Sequence, residues 1–193
     1  MRKILIIAGP SAVGKTTVMK DMLSRHPEFE FIRSATTRAP RGDGHDSEYI
    51  YLSLSEFKDR IENGGMLEHT EYSGHFYGTP ASEIERIFAD GKVPLLILDI
   101  NGVKSVKGVE RSFKTVAVYI TADMDILDKR LTERAAALGG GVDAIASVER
   151  RKAQNRRDLS EIDGFSASFD AIVENKEISK TAEEIYRIFD GIK

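Results

Sequence analysis

Residues 9–16 read Gly9-Pro10-Ser11-Ala12-Val13-Gly14-Lys15-Thr16, a fit to the pattern G-x-x-x-x-G-K-[ST]. The flanks give the pattern its weight. Ahead of it, Ile4-Leu5-Ile6-Ile7-Ala8 is a short β-branched apolar run, the texture of a strand buried in a parallel sheet. Behind it, after Thr17, Val18, Met19, Met22 and Leu23 fall at helical spacing, so a helix is expected over 15–25. Strand, glycine loop and helix N-terminus together aim backbone N–H groups and the positive end of a helix dipole at an anion. Gly9 and Gly14 permit dihedrals and close approaches that a Cβ would block. Lys15 can reach β- and γ-phosphates as a point charge, and the Thr16 hydroxyl can ligate Mg²⁺. The stretch 9–17 is therefore expected to bind a nucleoside triphosphate.

Three further strands are expected at Val93–Asp99, Phe113–Ile120 and Phe169–Glu174, with Asp99 at the C-terminal end of the first. Helical patterns alternate with them over about 80–90, 123–138, 143–162 and 180–191. Thr79-Pro80 suits an N-cap and first helical position, and Thr181 with Glu184 fits a capping box. Strands alternating with helices imply a parallel sheet covered on both faces. In such sheets ligands bind beyond the carboxyl ends of the strands, where the glycine loop and Asp99 both fall.

The segment from about 31 to 79 has a different texture. It carries short strand-like pieces, Phe29–Ser34, Tyr49–Leu52, Met66–Tyr72 and His75–Tyr77, and a short helix capped by Ser53 with Glu56 at N3. Its linker from Thr36 to Asp46 is rich in turn formers and too polar for a core. We read it as an α+β lobe inserted into the α/β frame. Arg38 and Arg41 in that linker are spaced to clamp a second anion, the alternative being two solvated loop arginines.

The helix expected over 143–162 breaks its own pattern. Ile145, Val148, Leu159 and Ile162 share one face, yet Lys152 and Asn155 interrupt it, flanked by Arg150, Arg151, Arg156 and Arg157. Such a helix packs at its ends and offers its centre to a polar cleft, or else simply carries a solvated charged face. Leu138-Gly139-Gly140-Gly141 ahead of it suits the hinge of a moving lid.

Composition limits the alternatives. Of 193 residues 41% are hydrophobic and 31% charged, a globular profile, and no apolar stretch approaches the roughly 20 residues of a membrane span. The N-terminal apolar run is short and leads straight into the glycine loop, so no signal peptide is expected. There is no cysteine, which removes disulfides and thiolate chemistry, and the four histidines lack metal-ligand spacing. A net charge of -3 argues against nucleic acid as a partner. A cytoplasmic enzyme, with no membrane or nucleic-acid partner and an open oligomeric state, is the expectation.

Gly9–Thr17, Ser34-Ala35-Thr36-Thr37-Arg38-Ala39-Pro40-Arg41, Met66-Leu67-Glu68 and Tyr72-Ser73-Gly74-His75-Phe76-Tyr77-Gly78-Thr79-Pro80 together resemble guanylate kinase, in order and spacing, across most of the chain. The resemblance implies an α/β P-loop NTPase-type parallel sheet with helices on both faces, an inserted α+β nucleoside-monophosphate lobe and a helical lid. It implies one domain, 1–193, with core 1–33, 80–129 and 158–193, GMP-binding lobe 34–79 and lid 130–157. The implied reaction is ATP + GMP → ADP + GDP with Mg²⁺, with dGMP as a further acceptor.

On that resemblance Gly9, Pro10, Ser11, Ala12, Val13, Gly14, Lys15, Thr16 and Thr17 would hold ATP, and Asn175 would close the adenine pocket. Arg38, Arg41, Tyr49 and Tyr77 look like the clamp on the GMP phosphate. Glu68 looks like the guanine reader, with Ser34 and Thr79 supplying hydroxyls to O6 and N7. Arg130, Arg134 and Arg151 resemble lid arginines that close on the γ-phosphate, joining Lys15 and Arg38 in catalysis. Thr16 would ligate Mg²⁺, and Asp99 would hold it through water or help read the guanine amine.

Three stretches depart from the family's pattern. Asp99-Ile100-Asn101-Gly102 runs two residues short of D-I-D-x-Q-G, leaving Asn101 or nothing for the second carboxylate. The Arg41–Tyr49 linker is one residue short and lacks the usual G-E, with Asp43 or Glu48 as substitutes. The lid between Arg134 and Arg151 is longer, with Gly139-Gly140-Gly141 at its turn. Two other readings keep the fold: a kinase with another phosphorylated acceptor, such as a ribose bisphosphate, and a non-catalytic phosphopeptide-binding module. The intact Gly14-Lys15-Thr16 and the trio Ser34, Glu68, Thr79 speak against them.

Overall fold

The apolar run ahead of the glycine loop forms the central strand β1 (Lys3–Ala8), withdrawn from solvent from Ile4 onward. The computed structural model describes residues 2–40, 49–72, 74–108, 112–137 and 142–192. After helix α1 (Lys15–Arg25), strand β2 (Phe29–Phe31) closes one edge of the main sheet. The chain then leaves for a second sheet of β3 (Ser34–Thr36), β4 (Tyr49–Tyr51), β5 (Met66–Tyr72) and β6 (His75–Pro80), with helix α2 (Leu54–Glu62) between β4 and β5. Helix α3 (Ala81–Ala89) returns it to β7 (Val93–Ile97), followed by α4 (Ile100–Lys107) and β8 (Lys114–Thr121). Helices α5 (Met124–Ala137), α6 (Val142–Ser160) and α7 (Ile162–Phe165) lead through a 3-10 turn to β9 (Ala171–Glu174) and the last helix, α8 (Ile178–Gly191).

The main sheet has the order β2-β7-β1-β8-β9, and every pairing in it is parallel. Alternation along β1 explains why helices cover both faces. Leu5 and Ile7 join Val18, Met22, Ile185 and Phe189 under α1 and α8. Ile4, Ile6 and Ala8 join Ile84, Ile87, Val103, Tyr119 and Phe169 under α3 and α4. Each face thus has its own packed layer, as the apolar texture of the strands requires. β1 lies where the strand order reverses, β7 on one side and β8 on the other, so the loop after it opens at a topological switch point.

The second sheet, β4-β3-β6-β5, is mixed, with only the β3–β4 pair parallel. It has a small core of Ala35, Phe57 and Met66, backed by Ile50, Leu52, Ile61 and Phe76. The inserted α+β lobe is therefore a packed unit. Helix α2 carries the expected capping box, with Ser53 Oγ accepting from Glu56 N–H and the Glu56 carboxylate accepting from Ser53 N–H.

Several local expectations are corrected. Phe29–Ser34 is two strands in two sheets: β2 pairs with β7, and β3 begins at Ser34. Helix α4 was not expected, since Gly102 interrupts its short apolar pattern; Asp99 is its N-cap, two residues past the end of β7. Thr79-Pro80 does not cap α3, whose N-cap is Pro80 with no side-chain hydrogen bond. Helix α8 starts at Ile178, so Thr181 lies within it, 2% exposed, rather than at its cap. Residues 138–141 and 41–48, including Arg41, Asp43 and Glu48, lie outside the described residues.

Candidate functional site

Between β1 and α1 the glycine loop is held by positions that only glycine satisfies. Gly9 has φ +148°, and a Cβ there would sit 2.3 Å from the Ile120 carbonyl oxygen. Gly14 is left-handed at φ +103°, and a Cβ would fall 2.8 Å from Asn175 Nδ2. Gly14 is also the N-cap of α1, and no side chain caps that helix and no acid stands in its first turn. The contrast with the boxed N-terminus of α2 is chemical: α1 keeps its first N–H groups for an anion rather than for its own side chains.

Lys15 curls back over the loop, its Nζ donating to Gly9 O at 2.8 Å and Pro10 O at 2.9 Å. Burial pushes its pKa down to about 8, with Arg151 adding to the push and Asp158 and Asp99 opposing it. A triphosphate beside Nζ would drive that pKa up again. We expect ATP binding to take up protons increasingly as pH rises past about 8, and little through Lys15 at pH 7. Calorimetry in buffers of different ionisation enthalpy at pH 8.5 measures it; equal apparent enthalpies there would contradict the depressed pKa.

Asn175 lies beneath the loop. It is 5% exposed, its Nδ2 donates to Val13 O at 2.7 Å, and its Oδ1 accepts from Thr181 Oγ1 at 3.0 Å. Expected at the adenine pocket, it has its amide committed to bracing the loop. Thr181, expected as a cap, orients that amide.

A cavity of about 760 Å³ opens over the loop, lined by Gly9, Ser11, Lys15, Ile97, Leu98, Asp99 and a row from α6 running from Arg150 to Asp158. Of the two residues that break the apolar stripe of α6, Asn155 lines this cleft, whereas Lys152 does not and pairs with Glu149 at 3.3 Å. Val148 is buried as expected, but Ile145 is exposed. Arg151 lines the cavity, while Arg130 on α5 donates through Nη1 to Ala12 O at 3.3 Å. Arg134 is in α5, its side chain outside what is described. Arg156 joins the two helices through Asp128 at 2.7 Å. In the sequence Asn155 shows only as a break in the apolar stripe, and Asp158 not at all; both line the cavity. Burial and the neighbouring Asp99 and Glu161 push the Asp158 carboxyl up, with the Gln154 hydrogen bond and Lys15 opposing.

A smaller cavity of about 200 Å³ adjoins, lined by Ser34, Tyr49, Glu68, Thr70, Tyr77, Gly78 and again Ile97, Leu98 and Asp99. Five of the residues expected at the acceptor, Ser34, Tyr49, Glu68, Tyr77 and Asp99, line this one cavity. Ser34 comes from β3 and Tyr49 from β4, while Glu68 and Tyr77 come from the β5–β6 hairpin. The register shifts between Met66 and Glu68, so Leu67 drops into the core under α3 and α4 and Glu68 comes to face Thr79. Thr79 is 1% exposed and donates from Oγ1 to Glu68 Oε1 at 2.7 Å. It is therefore set behind Glu68 and orients it, rather than lining the cavity. Burial pushes the Glu68 carboxyl above its ordinary pKa and Asp99 adds to this, while the Thr79 hydrogen bond opposes.

Arg38 is 9% exposed, its guanidinium 5.3 Å from the Tyr49 ring centre, and Nη1 has no hydrogen-bond partner among the described residues. A buried guanidinium N–H without an acceptor is costly unless an anion supplies one. Tyr49 packs edge-on against Tyr77, ring centres 6.5 Å apart, and both line the smaller cavity. Asp99 accepts from Gly102 N–H through Oδ1 at 2.7 Å and lines both cavities. Asn101 is exposed on α4 and lines neither. Thr16 is exposed in the first turn of α1. Among the described residues no group of three or more His, Asp or Glu could hold a metal ion. One hydroxyl and one carboxylate at a phosphate site fit an ion that keeps most of its ligands as phosphate oxygens and water. No helix among the described residues is long and apolar enough to cross a membrane.

Comparison with known proteins gives consistent results. The guanylate kinase family model matches residues 1–191. A guanylate kinase of Rhodococcus jostii is 34% identical over 193 residues, covering 98% of this chain and 87% of that protein. One of Prochlorococcus marinus is 30% identical over 190 residues, covering 97% of each. Among solved structures, guanylate kinase from Anaplasma phagocytophilum superposes with a TM-score of 0.72 at 25% identity, covering 100% of this chain and 87% of that one.

Proposed function

The chain belongs to the guanylate kinase family, and on that premise we propose that it transfers the γ-phosphoryl group of ATP to GMP, with dGMP as a further acceptor, giving ADP and the nucleoside diphosphate. The observation that carries this reading is the pair of adjoining cavities, one over the glycine loop and one faced by Glu68, with a shared wall at Ile97, Leu98 and Asp99.

A GMP phosphate oxygen is already ionised at neutral pH, so no general base has to create the nucleophile. It forms a bond to the γ-phosphorus as the bond to the β–γ bridging oxygen breaks, and ADP carries the electron pair away. The protein's work is to align two polyanions and offset the charge on the moving group. Within the loop Gly9–Thr17, the N–H groups at the start of α1, from Gly14 to Thr17, cradle the donor phosphates, since Pro10 has no N–H and that of Ser11 is taken by Asn155. Lys15 leaves the Gly9 and Pro10 carbonyls for the β- and γ-oxygens. Arg38, with Arg41, Tyr49 and Tyr77, holds the acceptor phosphate. Glu68 and Ser34 read the guanine edge, and Thr79 fixes the Glu68 rotamer. Arg130, Arg134 and Arg151 bring positive charge from the lid and exclude water. Mg²⁺, held by Thr16 and through water by Asp99, would neutralise charge on the β- and γ-phosphates. Asn175 braces the loop under the donor nucleotide.

The corresponding division is a core of 1–33, 80–129 and 158–193, a GMP lobe of 34–79 and a lid of 130–157. A cytoplasmic location accords with a sequence that has no cysteine. The test is ADP formation from ATP and Mg²⁺ with GMP, dGMP, AMP, UMP or dTMP as acceptor. Turnover of GMP and dGMP alone is expected. Turnover of AMP, or of none of the five, would overturn the assignment.

A further inference from the structure

The apolar stripe of α6 is broken at Asn155, yet that side chain is 1% exposed. Both ends of its amide go to one residue of the phosphate loop. Oδ1 accepts from Ser11 N–H at 2.8 Å, and Nδ2 donates to Ser11 O at 3.0 Å. Two opposed hydrogen bonds between planar groups fix both the distance and the rotation of a helix against a loop, which one bond does not. The Arg156–Asp128 ion pair cannot do this, because it ties α6 only to its neighbour α5.

Arg151 stands one turn before Asn155 on the same face of α6. It lines the cavity that holds Lys15 and Ser11, and its charge is felt at Lys15. Rotation or sliding of α6 by a fraction of a turn would swing a long arginine away from the loop. Gripping Ser11 at i+4 prevents that.

We propose that Asn155 is a positioning residue for phosphoryl transfer: by its paired hydrogen bonds to Ser11 it sets the lid helix so that Arg151 meets the transferred group above Lys15. The proposal rests on the kinase reading given above. A side chain that merely filled its space would affect stability and leave the contribution of Arg151 unchanged. A positioning residue makes the effects of the two non-additive.

The test compares Asn155→Ala, Arg151→Ala and the double variant in the ATP and GMP assay, with amide hydrogen exchange over Ser11–Val13. Asn155→Ala is expected to lower kcat about tenfold or more, within what small misplacements of reacting groups cost, with KM for GMP unchanged. The double variant is expected to be no slower than Arg151→Ala alone, and the Ser11 amide is expected to exchange faster once Asn155 is gone. Unchanged kcat in Asn155→Ala, losses that multiply in the double variant, or unaltered exchange at Ser11 would each overturn the proposal. Should Asn155→Ala fail to give a cooperative melt, Asn155→Ser, which lacks the separate donor and acceptor atoms of the planar amide, takes its place in the same cycle. Absence of ADP formation by the unaltered protein would sink the kinase reading itself. Normal wild-type turnover with multiplying losses would sink the role of Asn155 alone.

Discussion

Lys15→Ala lowers kcat by roughly 10²–10³-fold, the cost of removing one preorganised donor from a developing oxyanion, and leaves GMP affinity where it was. The separation of effects follows from where Nζ sits. It lies over the loop, 2.8 Å from Gly9 O and 2.9 Å from Pro10 O, and Lys15 lines the donor cavity but not the acceptor one. A positive charge there gains most as charge builds on the β–γ bridge, so the loss appears in turnover more than in ground-state binding. Steady-state rates at saturating ATP and GMP, with a GMP titration by calorimetry, measure both halves. A variant with near-normal kcat would remove Lys15 from the mechanism.

Glu68→Gln has the second large effect, and it falls on selectivity. Guanine offers two donors on one edge, N1–H and the exocyclic amine, and a carboxylate accepts from both. Glutamine sets an N–H against one of them. Sites that hydrogen-bond a substrate edge discriminate strongly because mismatched buried polar groups stay unpaired. We expect kcat/KM for GMP to fall by about 10²-fold or more while the trace rate with AMP does not fall with it. Equal losses for the two nucleotides would end the assignment. The same group gives a pH signature. The Glu68 pKa is raised, so protonation of the acceptor begins at higher pH than for an ordinary carboxyl group. KM for GMP accordingly rises as pH falls through that range in the wild type, and the rise is absent in Glu68→Gln.

What the chain discloses by itself is what its chemistry writes locally. The loop from Gly9 to Thr16 needs its glycines and its lysine in fixed order, and strand and helix signals surround it, so it was legible without a structure. The capping box at Ser53 and Glu56 is local in the same sense. Features that depend on distant partners were not legible. Nothing within Phe29–Ser34 says that its first half pairs with β7 and its end with β4, because both partners come later in the chain. Helix α4 is short and carries a glycine where its stripe should continue, so its N-cap aspartate passed for the end of a strand. Thr79 and Thr181 looked like caps because hydroxyls before helices commonly are, but each is buried and orients another side chain, Glu68 in one case and Asn175 in the other. Asn155 is the sharpest case. In sequence it was only a flaw in an amphipathic pattern, and its pairing with Ser11, 144 positions away, gives the flaw a purpose.

The wall at the end of β7 that the two cavities share has a stereochemical consequence. Nucleotides lodged on either side of Ile97, Leu98 and Asp99 would be present together, so phosphorus would change partners once and directly. A γ-phosphoryl group made chiral with oxygen isotopes would therefore arrive on GMP with its handedness inverted, and initial-rate lines for the two substrates would intersect rather than run parallel.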